Sequence, residues 1–121
     1  MLSAIVLDDE QFFLNIYKDI FSDKAIKARY YQSEGEFEEK ESEKSIASTD
    51  LIIFDYKLKG KTIVSLNLLE YVREELGFKG IILVCSTLDH FGYDQDNIHK
   101  FADGMLEKSE LSWDKIQSFL K

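Results

Sequence analysis

Three short apolar runs punctuate the chain, and each stops abruptly on polar residues. Ser3 to Leu7 leads into Asp8-Asp9-Glu10, Leu51 to Phe54 into Asp55, and Ile81 to Cys85 into Ser86-Thr87. Runs of this length with no polar alternation suit strands buried on both faces of a parallel sheet. Ile26 to Tyr31 and Gly104 to Leu106 are weaker strand candidates. Between the runs the spacing changes to three and four residues. Phe13, Ile16, Tyr17, Ile20 and Phe21 make one stripe, and Leu66, Leu69, Val72, Arg73 and Leu76 make another that ends at Gly77. Ser112 is placed as the N-cap of a last helix whose buried face is Ile116, Phe119 and Leu120. Asn97 to Ala102 is a shorter helical candidate, and Ser33 to Ser45, crowded with Glu and Lys around Phe37, reads as a solvated helix or a disordered loop. Strand and helix alternate five times. That pattern predicts an α/β fold, a doubly wound parallel sheet with right-handed crossovers and helices on both faces.

Composition narrows the chemistry. A chain of 121 residues is the size of one domain. Its net charge of −8 argues against nucleic acid as a direct partner, because phosphate backbones demand Lys/Arg surfaces. A metal or a basic partner suits it better. Cys85 is the single cysteine, which excludes an internal disulfide and favours a reducing compartment. No apolar stretch approaches the roughly 18 residues of a membrane span. A soluble cytoplasmic domain is expected.

In an open parallel sheet, ligands bind beyond the carboxyl ends of the strands where the strand order reverses. Asp8, Asp9, Asp55, Ser86 and Lys108 all fall at such ends. Clustered carboxylates tolerate one another best around a cation, and a few hard oxygen ligands suit Mg²⁺. A cation there would neutralise an incoming phosphate, so that a carboxylate oxygen could attack phosphorus in line. Asp55 would then be the nucleophile, with a lysine and a hydroxyl on the remaining phosphoryl oxygens.

These residues, in this order, resemble the receiver domains of two-component response regulators. The likeness rests on Ile5 to Glu10, Asp50 to Asp55, Leu58-Lys59-Gly60, Leu66 to Leu69, Ile82 to Ser86 and Ala102 to Lys108, and it covers the chain from 1 to 121 as one receiver domain. The resemblance implies a flavodoxin-like sheet with strand order 2-1-3-4-5. It implies that Asp8, Asp9, Asp55 and the backbone carbonyl of Lys57 hold Mg²⁺ or Mn²⁺. Asp55 is then the phosphoacceptor, Ser86 the switch hydroxyl and Lys108 the phosphate-binding ammonium. It also implies a sensor histidine kinase or a histidine phosphotransfer protein as donor, an output that the sequence does not identify, and a signalling role rather than that of an enzyme.

The chain departs from the family pattern in places. The loop after Asp55 is longer than usual, Ser109 replaces the proline that normally follows the lysine, and Met105 stands where an aromatic often reports the switch. Without proline, the bond at Ser109 is expected to be trans. The spacing back from Lys108 selects Ser86 as the switch position, whereas the spacing on from Asp55 selects Cys85; hydroxyl chemistry favours Ser86. Three other readings compete. A pseudo-receiver would keep the fold as a protein-binding module without chemistry. An aspartate-nucleophile phosphatase would need a second acid where Lys57 stands. A flavodoxin-like cofactor binder would need a phosphate loop after the first strand.

Overall fold

A computed structural model describes residues 1–55, 65–86 and 100–120, without the side chains of 65–67 and 86. Five strands form one parallel sheet: β1 (Leu2–Leu7), β2 (Ile26–Tyr31), β3 (Leu51–Asp55), β4 (Ile81–Ser86) and β5 (Gly104–Glu107), in the spatial order β2-β1-β3-β4-β5. The expected sheet and strand order are therefore present. The order reverses between β1 and β3, so a crevice opens there beyond the ends at Leu7 and Asp55.

The apolar runs lack alternation because both faces of the sheet are covered. Ile5, Leu7, Ile52, Phe54, Ile82 and Val84 pack on one side with Phe37, Ile46, Leu69 and Val72. Those partners come from α2 (Glu34–Lys40), α3 (Glu43–Ala47), α4 (Ser65–Glu70) and the turn that follows α4. Ala4, Val6, Leu51, Ile53, Leu83 and Cys85 face the other way. There they meet Leu14, Tyr17 and Phe21 of α1 (Gln11–Phe21) and Ile116 of α5 (Trp113–Ser118). The α1 stripe is thus rotated from the one expected. Leu14 lies inside, while Phe13 and Ile16 are only half-buried.

The Glu-rich segment is ordered as two capped helices rather than one loose one. The Ser33 hydroxyl accepts from the Glu36 amide, and Ser42 and Ser45 cap α3 reciprocally. Phe37 and Ile46 are the apolar anchors, both fully buried. Between the two helices, Glu41 accepts a bidentate ion pair from Arg29 and further bonds from Tyr31 and Ser45. That supply of donors is what lets a carboxylate sit so deep.

After α4 the helix widens over Tyr71–Glu75, where the Leu76 amide bonds to the Tyr71 carbonyl. Gly77 then reverses the chain at φ 66°, as its place in the sequence suggests. The Arg73 guanidinium fills the space beneath this turn. It donates to the carbonyls of Phe101, Phe78 and Gly80 at 2.8–2.9 Å and to Asp103 at 2.7 Å. Ser112 caps α5, accepting from the Lys115 amide. The Phe119 ring packs against Gly104, where a Cβ would come within 2.1 Å of it. Of the candidate helix Asn97 to Ala102, the first three positions fall outside the described residues, and Lys100 and Phe101 form a turn rather than a helix. Among those residues no peptide bond is cis, including the one at Ser109, and no helix is long and apolar enough to cross a membrane.

Candidate functional site

Asp8 follows the last residue of β1 and Asp55 is the last residue of β3, so the reversal in strand order brings their carboxylates face to face. Asp9 completes the group: one carboxylate oxygen from each of Asp8, Asp9 and Asp55 lies within 4.8 Å of the others. Lys108 enters from the end of β5. Its ammonium stands 3.1 Å from Asp55 Oδ1, 3.4 Å from Asp8 Oδ2 and 3.7 Å from Glu10 Oε2. Asp8 and Asp55 are 1% and 4% exposed, and the Lys108 side chain 11%. Helix capping does not account for the acidic pair. Glu10 is the N-cap of α1 with no side-chain cap bond, and Asp8 Oδ1 instead accepts from the Glu10 amide ahead of the helix.

The sheet's alternation explains the convergence. Along each strand the side chains on one face recur every second residue. Val6, Ile53, Leu83 and Leu106 pack under α1 and α5, and two residues further on come Asp8, Asp55, Cys85 and Lys108. The polar cluster therefore caps the α1–α5 side of the core. Cys85 pairs directly with Asp55 across β3 and β4 and is buried beside the Tyr17 hydroxyl. Ser86 pairs with Glu107 one step further on. The side chain of Ser86, and Lys57 altogether, lie outside the described residues.

Asp8 and Asp55 share the Lys108 ammonium in a largely dry site, and the protonation of these three groups reflects that. Burial, with the Asp8 charge adding to it and Lys108 opposing, pushes the Asp55 carboxyl up to about 8. Asp8 is also raised by burial, against the Glu10 amide and Lys108, which favour its ionised form. For Lys108, burial opposes the charge, but Asp55 and Asp8 outweigh it and hold the ammonium above its usual value. Burial drives the Cys85 thiol up to about 12, so it stays protonated at neutral pH. Asp8 Oδ2 is buried and, among the described residues, has the Lys108 ammonium 3.4 Å away. Three carboxylates gathered within 4.8 Å at a mostly buried site are what a divalent cation would satisfy, and all-oxygen ligands match Mg²⁺ or Mn²⁺.

No protein-family profile and no curated protein matches this sequence. Solved structures do match, along nearly the whole chain. A response regulator receiver protein from Pseudoalteromonas atlantica superposes with a TM-score of 0.81 at 14% identity, covering 98% of this chain and 96% of that one. The chain has the receiver fold. Response regulator TrrA from Thermotoga maritima, solved with Mg²⁺ and BeF, gives a TM-score of 0.76 at 19% identity and covers 98% of this chain and 95% of that one. A response regulator from Burkholderia pseudomallei, solved with a phosphorylated aspartic acid, calcium and citrate, gives 0.74 at 17% identity and covers 100% and 67%. The sequence motifs had pointed to this fold.

One part of the site is not legible in the sequence. Phe13 falls in the expected core stripe, yet its ring centroid lies 4.2 Å from the Lys108 ammonium. No spacing rule signals such a contact between α1 and the end of β5. Cys85, the alternative switch position that the spacing from Asp55 selects, pairs directly with Asp55.

Proposed function

We propose that this chain is a phosphoacceptor receiver domain, taking a phosphoryl group onto Asp55 from a phosphohistidine of a sensor kinase or phosphotransfer protein and changing conformation to control an output. The observation that carries the reading is the bridging of Asp8 and Asp55 by Lys108 at the sheet's switch point, with Asp9 alongside. The metal and phosphoaspartate in the neighbours from Thermotoga and Burkholderia support the same assignment. A Mg²⁺ or Mn²⁺ ion held by Asp8, Asp9, Asp55 and the Lys57 carbonyl would neutralise the charge on the incoming phosphate.

This chain's residues do the rest. An Asp55 oxygen forms the new bond to phosphorus as the bond to the donor nitrogen breaks, and the electron pair leaves with the imidazole. Ionised Asp55 is the attacking form, and Lys108 favours it by standing 3.1 Å away. The ammonium then has a phosphoryl oxygen to bind in place of the carboxylate it has lost. Hydroxyl chemistry had favoured Ser86 as the side chain that senses the group, but strand pairing and the shared face favour Cys85.

The test is exposure to acetyl phosphate and Mg²⁺. Intact-protein mass spectrometry should find one added phosphoryl group, stable to acid, labile to base and missing from Asp55→Asn. An equal adduct on that variant would overturn the assignment.

A further inference from the structure

Among the described residues, the Lys108 ammonium has four close partners, and three of them are carboxylates. Asp8 and Asp55 belong to the cluster that would take a cation and a phosphoryl group, and Glu10 is the most distant at 3.7 Å. The fourth neighbour is the face of Phe13, with its centroid 4.2 Å from Nζ. A ring face attracts an ammonium through its quadrupole, and more strongly where water is excluded. Unlike the carboxylates, the ring carries no net charge, binds no proton and ligates no metal. Its hold on Lys108 is therefore the same whether the acidic cluster is loaded or not. Phe12 stands edge-on to Phe13, centroids 5.3 Å apart and planes at 83°.

We infer that Phe13 is a positioning residue for phosphoryl transfer, holding the Lys108 ammonium at the mouth of the site while Asp8 and Asp55 change partners. This rests on the phosphoacceptor reading. A flexible four-carbon stem without that restraint would turn outward once a cation competed for its carboxylates. Phe13→Leu preserves apolar bulk but removes the quadrupole, and it should slow phosphoryl transfer from acetyl phosphate roughly fivefold. Phe13→Trp should match or exceed the native rate, because indole binds cations best.

Two measurements separate this role from simple packing. Phenylalanine carrying one, two or three ring fluorines at position 13 drains the ring face in steps at almost constant shape. The rate should fall stepwise with fluorine number, and a flat series would overturn the positioning role. The second measurement needs no phosphorylation. In metal-free protein the Lys108 ε-methylene protons should show an upfield ring-current shift that disappears in Phe13→Leu, with Lys108→Arg identifying the resonance. If that shift is missing from the native protein, the contact does not exist in solution and the inference fails. If the native protein shows the shift but accepts no phosphoryl group, the phosphoacceptor reading has failed and takes the positioning role with it. The ring contact alone would then survive.

Discussion

In the proposed role, Asp55 would carry two conflicting demands, burial for water exclusion and ionisation for nucleophilic attack. Its carboxyl is raised from an ordinary 3.8 to about 8, so without a cation the folded protein holds a proton that the unfolded chain has released across that interval. Its contribution to stability is complete below about 4 and is lost as pH rises through about 8. Asp55→Asn has nothing to titrate there. In chelator, the Asn variant should gain on the native protein as pH rises, by on the order of 2 kcal/mol near pH 8. Excess Mg²⁺ should close the gap, since an ion that binds only the folded state stabilises by about 2.7 kcal/mol at a hundred times its Kd. Denaturant melts of both proteins over that pH range, with and without Mg²⁺, read the sign directly. A second residue-scale expectation follows from pairing. Cys85→Ala should weaken the change in backbone amide shifts that beryllofluoride induces, and Ser86→Ala should leave most of it. The reverse result would restore Ser86 as the switch. The acids were legible in the sequence because abrupt strand ends mark them. Phe13 was not, since what distinguishes it is which neighbour it faces, and for Cys85 against Ser86 two residue counts disagreed.

Among the elements, the turn after α4 shows how one residue can substitute for regular structure. Three carbonyls that no strand or helix satisfies converge on Arg73, and Asp103 joins it to the Ile82 amide at the start of β4. Arg73→Ala leaves those carbonyls without donors and should cost about 2–4 kcal/mol in chemical denaturation. Arg73→Lys should recover little, because an ammonium cannot span three acceptors held by a planar fork. From sequence, Arg73 looked like part of an apolar stripe, since spacing alone does not distinguish a packed stem from a buried guanidinium. The Glu-rich segment was hidden for the opposite reason. Its caps were present as Ser33 with Glu36 and Ser42 with Ser45, but six glutamates against two apolar anchors outweighed them. The three inner strands, by contrast, were plain. Burial on both faces leaves an unbroken apolar run, and few other elements do.

At the scale of the molecule, the charge of −8 is concentrated neither by accident nor wholly at the site. The acidic cluster uses three carboxylates, and the Glu-rich helices carry many of the others on solvent-facing positions. A donor protein with a basic docking surface would be drawn to such a chain at long range, and its association rate should fall as ionic strength rises.

The sheet also acts as a bulkhead. Among the described residues, the side chains assigned to the chemistry lie on one side of it, and the opposite side is packed with apolar side chains. Ile52 and Ile53 are adjacent on β3, equally buried, and belong to opposite sides. Ile52→Val and Ile53→Val each remove one methylene and should each cost about 1 kcal/mol in denaturant. Their effects on phosphoryl transfer should differ all the same. The gap left by Ile53 opens directly behind Asp55 and should change the rate, whereas the gap left by Ile52 opens toward α2–α4 and should not. Two neighbouring positions that stability assays score alike would then be told apart by turnover, and the fold would hold a compartment free to vary beside one that is not.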